Sequence, residues 1–516
     1  MVLMIIFFAL FAICLGFSIF NSIRFVKNPL VEVDYRKCIT TTGIVTILGV
    51  ISFIVASFGV YMTLSITPDA FHVVQLVIGA ILLSGGLFSG INFFIVHYYG
   101  KNIPEALDKW LFRIQLIGFI AAVLGFFIHT NGLSLPDSIY PVPNGISFTQ
   151  GLVTIKTGKP NIAFYAICIL SGAVLVYFIC DHYMYKEYGE HGILESTFFI
   201  AFPAGILGAR IWYVVGNWAK EFDYGRAMVD LNGMKIWAPL AIWNGGLTIL
   251  GGAIMGIVVG VAWYLWKNKG KSIWIAVDMI VPCILVAQAI GRWGNYFNCE
   301  VHGLASNIEY WRWLPEIVLK NAQYTSSGSP DLVGTDQIYV PLFFIEFITN
   351  LLGYFVLAHV FGKALRKYTE LGDLCFGYII WYGATRVLME PLRDKEFQMG
   401  EDGYWSWVWS MVFVLAGALL IVINHLVRYL KRKKDGTFKV HSYDRLLGFI
   451  STGAILVISA TLIIFGVTMM STNPFTLSVD YSGFNVGLML LILGISVLLT
   501  SGISIPILVE SFRQYE

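Results

Sequence analysis

The sequence predicts an all-α polytopic membrane protein with about 13 transmembrane helices. Two observations carry this. Hydrophobic residues make up 57% of the 516 residues and charged residues only 13%, where soluble domains carry about 25% charge. A spanning helix needs about 20 apolar residues, and runs of that length recur between short polar stretches. This composition excludes a water-soluble globular protein and a disordered chain. Lys plus Arg is 34 and Asp plus Glu is 32. That balance gives no support for a nucleic-acid partner. The seven cysteines, Cys14, Cys38, Cys168, Cys180, Cys283, Cys299 and Cys375, show no C-x-x-C spacing. They read as packing residues rather than a disulfide or zinc framework.

The apolar runs lie near 2–20, 43–66, 72–97, 112–130, 161–181, 194–216, 245–266, 273–292, 341–362, 373–392, 405–427, 446–470 and 484–508. The first lacks a basic flank before it and reads as a retained helix rather than a cleaved signal. Loops after the odd-numbered runs hold 22 Lys and Arg, and loops on the other side hold nine. Basic residues collect on the cytoplasmic side, so the N-terminus is expected outside and the C-terminus in the cytoplasm. Three blocks follow: a four-helix N-terminal extension over 1–140, a seven-helix core over 141–435, and a two-helix C-terminal extension over 436–516. Before the core, Ile146 and Phe148 followed by Val153 and Ile155 predict a short surface hairpin. Two larger outer loops cover 217–244 and 303–340.

The most informative string runs from Gly291 to Glu300, followed by Val301, His302 and Gly303. It places Arg292, Asn295, Asn298 and Glu300 where the eighth run leaves the membrane. A charge at membrane depth costs about 2.5–3.5 kcal/mol on insertion scales, so it normally has a partner and a task. An isolated arginine would be read as merely snorkelling to the interface. The density of amides with a carboxylate argues against that here. A second group, Arg386, Glu390 and Arg393, has spacings of four and three and falls on one helix stripe, until Pro391 ends or kinks the helix. The bland reading is an ion pair, yet one glutamate cannot neutralise two arginines, so an anion is expected to complete the site. Arg210, Glu346 and Tyr165 are expected in the same outer leaflet. Arginine suits phosphate because its planar fork donates two parallel hydrogen bonds. Gly252, Gly256 and Gly260 repeat at a spacing that permits close helix packing. Gly245-Gly246 and Gly251-Gly252 stand at the outer entrance of their run, where glycine lets backbone approach a ligand.

With these residues in place, the chain resembles the prolipoprotein diacylglyceryl transferases over about 141–435. The match rests on Gly291-Arg-x-Gly-Asn-x-x-Asn-x-Glu300. Tyr165, Gly208-Ala-Arg210, the glycine pairs, Pro341 with Glu346, and Arg386-x-x-x-Glu390-x-x-Arg393 agree in order and spacing. The resemblance implies a transferase of the bacterial plasma membrane. It moves the diacylglyceryl group of phosphatidylglycerol to the lipobox cysteine thiol of a prolipoprotein, forming a thioether and releasing glycerol phosphate. It implies Arg292, Glu300 and Arg386 as catalytic residues. Arg292, Asn295, Asn298, Arg386, Arg393, Arg210, Tyr165 and Gly303 would bind phosphatidylglycerol, with Glu390, Glu346, Gly245 and Gly246 in support. No cofactor and no metal is expected.

Two positions depart from the family pattern: Leu250 and Val340 stand where it usually has histidine. Leu250 has no titratable group. A base for the thiol is therefore Glu300, or His302, or none, with pH alone supplying thiolate. The competing reading is a lipid or anion transporter or scramblase. It predicts charges spread through both leaflets, whereas here they concentrate in one. A phosphatidyltransferase using a cytidine nucleotide lipid would carry Asp-Gly-x-x-Ala-Arg, and neither Asp402-Gly403 nor Asp435-Gly436 continues that way.

Overall fold

The computed structural model describes residues 2–27, 32–64, 67, 69–99, 105–133, 136–149, 152–156, 162–231, 234–241, 246, 248–325, 328–395, 403–438, 444–475 and 479–514. The chain begins with four long helices, α1 (Val2–Lys27), α2 (Glu32–Leu64), α3 (Ala70–Tyr99) and α4 (Glu105–Leu133). Strands β1 (Gly145–Thr149), β2 (Leu152–Lys156) and β3 (Ile162–Ala163) follow, then helices α5 (Phe164–Tyr188) and α6 (Glu195–Gly216). The hairpin β4 (Met228–Leu231) and β5 (Met234–Trp237) precedes α7 (Ile249–Lys267) and α8 (Ile273–Asn298). The loop after α8 holds β6 (Ala305–Asn307), the short α9 (Glu316–Asn321) and β7 (Gln337–Tyr339). The remaining helices are α10 (Leu342–Tyr354, continued as a π-helix over Phe355–Ala364), α11 (Asp373–Met389), α12 (Tyr404–Lys434), α13 (Asp444–Thr472), α14 (Gly483–Leu499) and α15 (Ser501–Gln514).

Twelve helices among the described residues are long and apolar enough to cross a membrane. They account for twelve of the thirteen apolar runs. The other, 373–392, is α11, which has 17 residues. Pro391 lacks the N–H that would bond the carbonyl four residues earlier, and the chain tightens into a 3-10 turn at Glu390–Leu392. The carbonyls freed by this ending are met from elsewhere. Trp407 Nε1 donates to Val387 O at 3.0 Å, and the Tyr481 hydroxyl donates to Leu388 O. Buried backbone in an apolar medium needs such partners.

The chain forms two compact units, Met1–Ile167 with Trp293–Phe343, and Cys168–Arg292 with Phe344–Glu516. In the first, α3 and α4 pack so closely that a Cβ on Gly79 would fall 2.5 Å from His129 Cα, and one on Gly132 2.6 Å from Leu76 Cα. Polar side chains join these apolar helices. Ser57 Oγ lies 2.8 Å from His129 Nε2, and Asn92 bonds Ser18 at 2.6 Å and Ser22 at 2.7 Å. The predicted hairpin is present, with Ile146 opposite Ile155 and Phe148 opposite Val153, and β3 adds to its other edge. The loop after α8 is tied down within the same unit. Asn131 Oδ1 accepts from Glu316 N at 2.9 Å, Asn321 Oδ1 accepts from Val142 N at 2.9 Å, and Lys320 pairs with Asp137 at 2.7 Å.

In the second unit, α6 and α7 meet through glycines. A Cβ on Gly208 would lie 2.3 Å from Met255 Cβ and 2.6 Å from Gly251 O. One on Gly252 would lie 3.1 Å from Gly205 O, and one on Gly260 3.2 Å from Ala201 Cβ. The glycine repeat of α7 therefore serves helix packing. At the other end of α11, Asp278 of α8 accepts from Gly372 N at 2.8 Å and Cys375 N at 3.2 Å, satisfying donors that a helix N-terminus leaves open. Asp373 accepts from Asn424 Nδ2 at 2.9 Å and lies 2.6 Å from His425 Nε2, which joins α11 to α12. Since overpacking costs about 1–3 kcal/mol, Gly208→Ala is expected to lower the apparent Tm in a thermal scan in detergent. Gly216→Ala, whose Cβ would meet nothing within 4 Å, leaves it unchanged. Equal melting of the two variants refutes the packing account.

Candidate active site

An unbroken chain of ion pairs lies in the second unit, built from three helices and a turn. Arg292, near the end of α8, places Nε 2.5 Å from Glu346 Oε2 on α10. The other oxygen of Glu346 accepts from Arg393 Nη2 at 2.9 Å. Arg393 Nε lies 3.6 Å from Glu390 Oε2, and that oxygen is 2.7 Å from Arg386 Nη2. The order Arg292–Glu346–Arg393–Glu390–Arg386 alternates in sign. Its middle is dry: the side chains of Glu390, Arg393 and Glu346 are 1%, 4% and 6% exposed, while those of Arg386 and Arg292 are 15% and 23% exposed. The Arg386–Glu390 approach is close, but among the described residues no hydrogen bond of ordinary geometry reaches the Glu390 carboxylate. Charge holds this carboxylate more than direction does.

Local structure explains the placement. Tyr378, Tyr382, Arg386 and Glu390 succeed one another at four-residue intervals and share one face of α11 and its terminal turn. The 3-10 turn at Pro391 redirects the backbone, and Arg393 follows in extended conformation, so its side chain comes from outside the helix. On α8, Gln288 stands one turn before Arg292 and donates to the Tyr378 hydroxyl at 2.9 Å. Sequence reasoning missed this Gln288–Tyr378 tie. The signal available was an amide four residues before Arg292 within an apolar run.

Arg210 has different work. Its Nε donates to Pro239 O at 2.9 Å, Nη2 to Ala238 O at 2.9 Å, and Nη1 to Gly246 O at 3.3 Å. The guanidinium also lies 5.4 Å from the ring centre of Phe222. Arg210 thus fastens the loop that precedes α7. Gly246 has φ +65°, and a Cβ there would lie 2.7 Å from Arg210 Nη1, so only glycine fits without strain. Gly245 lies outside the described residues. Leu250 is 52% exposed, and Val340 is buried with its carbonyl accepting from Gly303 N at 2.8 Å.

The remaining predicted residues belong to the first unit. Glu300 Oε1 accepts from Asn295 Nδ2 at 3.1 Å and Asn298 Nδ2 at 3.2 Å, and Glu300 N donates to Asn295 O at 3.1 Å. The turn that folds Glu300 back over the end of α8 holds Cys299 at φ +49° and Val301 at φ +58°. Such values are uncommon without glycine and cost energy, most of all for a β-branched residue. Cys299 itself is buried, and burial pushes its thiol up to about 11. It is poorly suited to act as a nucleophile, because thiolate is the reactive form. A Cβ on Gly294 would fall 2.3 Å from Tyr165 Cδ2, so this glycine admits the tyrosine ring against α8. His302 stacks on Tyr339 with ring centres 3.9 Å apart.

This is a polytopic helical membrane protein with a buried arginine–glutamate chain. The model of the prolipoprotein diacylglyceryl transferase family matches residues 152–423. The chain is 32% identical over 279 residues to the phosphatidylglycerol–prolipoprotein diacylglyceryl transferase of Streptococcus suis (strain 05ZYH33), covering 53% of this chain and 91% of that one. It is 33% identical over 288 residues to the enzyme of the same name from Streptococcus pyogenes serotype M5 (strain Manfredo), covering 55% and 95%. The chain belongs to the prolipoprotein diacylglyceryl transferase family.

The shared glutamate of the ion-pair chain gives a direct test. Glu346→Ala removes the 2.9 Å partner of the buried Arg393, and breaking a buried pair from one side costs about 3–5 kcal/mol. A marked loss of thermal stability is expected, well beyond that of Arg292→Ala at the more exposed end. Equal losses in the two variants argue against Glu346 as the link.

Proposed function

We propose that this protein transfers the diacylglyceryl group of phosphatidylglycerol to the lipobox cysteine thiol of prolipoproteins, within a transferase core spanning 141–435. The observation that carries the reading is the convergence of Arg292, Arg393 and Arg386 on the buried carboxylates of Glu346 and Glu390, together with family membership. In this reaction the substrate sulfur attacks the glycerol carbon that bears the phosphate ester. A C–S bond forms and the C–O bond breaks. Its electron pair leaves with glycerol phosphate, and the thiol proton passes to a base or to solvent. The chemistry calls for an anion site at the leaving group, where preorganised donors are worth most. Arg292 and Arg386 suit it, as the less buried ends of the chain. A Cβ on Gly291 would meet nothing within 4 Å, which leaves room beside Arg292. Asn295, Asn298, Arg393 and Tyr165 support lipid binding in this reading, and Gly303 and Gly246 shape the adjoining loops. Arg210 contributes by holding the loop before α7.

Purified protein given phosphatidylglycerol and a lipobox peptide is expected to yield a peptide heavier by one diacylglyceryl group on its cysteine. Lipid movement between leaflets without this adduct selects the transporter reading instead. Arg292→Ala and Arg386→Ala are each expected to lower turnover about 10²–10³-fold, the cost of losing one oxyanion-type donor. Lysine rescues poorly because a point charge lacks the fork. Wild-type turnover in Arg292→Ala refutes the anion site.

The proton acceptor is assigned to Glu300, whose turn presents a carboxylate just beyond α8. A lost base leaves activity that climbs with pH towards the thiol pKa. Glu300→Gln is therefore expected to lose activity near pH 7 and to recover partly above about pH 8.5, the free-thiol value. His302→Ala changes little. Equal loss at every pH makes Glu300 a structural partner of Asn295 and Asn298.

The Lys and Arg distribution supports an outward-facing site, an N-terminus outside and a C-terminus in the cytoplasm of a bacterial cell. In intact cells, a membrane-impermeant thiol reagent is expected to label Val333→Cys in the outer loop and not Thr437→Cys after α12. The reverse pattern inverts the topology and places the site on the wrong side for a secreted substrate.

A further inference from the structure

The family match ends at residue 423, yet the chain beyond it reaches the helix that carries Arg386. Asp480, Tyr481 and Ser482 stand just before α14. Asp480 Oδ1 accepts from Ser482 N at 3.0 Å and from Asn485 Nδ2 at 2.9 Å, and Asp480 O accepts from the same amide at 3.2 Å. An aspartate that bonds the backbone two residues on makes a tight turn, so the main chain is fixed on both sides of Tyr481. The helix that follows is fixed as well. A Cβ on Gly487 would fall 2.7 Å from Gly466 O of α13. Leu488, Met489 and Ile492 of α14 pack with Val479 against Val387 of α11 and Trp407 and Met411 of α12.

From this seat the Tyr481 hydroxyl donates to Leu388 O, between Arg386 and Glu390 in the last turn of α11. The neighbouring carbonyl, Val387 O, takes Trp407 Nε1 at 3.0 Å. One donor thus comes from inside the family match and one from outside it. The main chain of this turn matters more than usual for the ion pairs. Among the described residues no hydrogen bond of ordinary geometry reaches the Glu390 carboxylate. The 2.7 Å approach of Glu390 Oε2 to Arg386 Nη2 therefore rests on where the backbone puts the two residues. Arg393 N donates to Glu390 O at 3.1 Å and depends on the same turn. A helix end whose carbonyls lose their partners frays, and fraying here shifts Arg386, Glu390 and Arg393 relative to one another.

We propose that Tyr481 is a positioning residue for the transfer reaction, holding the last turn of α11 so that Arg386 keeps the orientation in which it meets the leaving phosphate. The C-terminal extension is then a working part of the site, supplied from outside the segment shared with the family. Tyr481 acts through the backbone at Leu388 and through Arg386. The inference rests on the transferase reading above.

The test is Tyr481→Phe in the full-length protein, which removes the hydroxyl and leaves the ring; a thermal scan checks that the fold is kept. Hydrogen exchange in detergent reads the turn without reference to activity. Exchange of the amides over 386–393 is expected to rise about fivefold, the worth of one hydrogen bond, while the first turns of α11 stay unchanged. Turnover of phosphatidylglycerol and a lipobox peptide reads the site. Here kcat is expected to fall about fivefold, with KM for the lipid unchanged. In the Arg386→Ala background the same substitution is expected to lower turnover no further, because the group it positions is gone. An equal fall in both backgrounds makes the role of Tyr481 merely structural and overturns the proposal. Faster exchange with unchanged kcat overturns it too, as does unchanged exchange over 386–393 at any level of activity. If the wild-type protein forms no adduct, the transferase reading itself fails, and exchange alone decides whether the extension holds the turn.

Discussion

The carboxylate of Glu346 carries the most weight in this structure. It sits 6% exposed in a helix of an apolar protein and lies between two guanidinium groups. Arg292 comes from α8 and Arg393 from the turn after α11, so the shared carboxylate on α10 fixes three segments at once. Burial makes such an arrangement obligatory, because an unpaired charge there is expensive in an apolar medium. Burial does not make it a source of stability, since well-packed apolar groups would often do as well. What the ion pairs provide is position. They hold Arg292 and Arg386, the less buried ends, where a fork of donors can face an anion.

Pro391 has the same kind of consequence. It ends α11 early, and that ending creates two problems which neighbouring elements solve. The carbonyls of Val387 and Leu388 lose their helical donors and take Trp407 and Tyr481 in exchange. Tyr481 precedes α14 in the C-terminal extension, and Trp407 is fully buried in α12. The turn itself brings Arg393 back towards Glu390 and Glu346. A straight helix would carry position 393 onward along its axis, away from Glu346. The proline therefore belongs to the geometry of the ion-pair chain as much as the charged residues do.

Much of this was legible in the sequence, because it depends on composition and short-range spacing. Apolar runs gave the helices, and the alternation of Ile146, Phe148, Val153 and Ile155 gave the hairpin register. Spacings of four and three put Arg386, Glu390 and Arg393 together. Twelve of the thirteen runs are helices long and apolar enough to cross a membrane, and the thirteenth is the 17-residue α11. Run length does not register the shortening of α11 by Pro391. The pairing of Glu346 with both Arg292 and Arg393 was not legible either, because it joins positions 54 and 47 residues apart. The reach of Gln288 to Tyr378 is tertiary in the same way. Spacing along one helix says which residues share a face, and nothing about which face another helix presents to it.

Arg210 shows why residue type alone could not sort the arginines. It is buried at 6% exposure and lies near the end of its helix, much like the others. Its donors meet backbone carbonyls of Ala238, Pro239 and Gly246. Carbonyls stabilise a cation by dipoles while leaving its formal charge whole. The arginines of the chain meet carboxylates instead, whose charge opposes theirs. Two glutamates and three arginines form one network whose ends are the less buried. The protein thereby avoids the cost of isolated cations in an apolar medium.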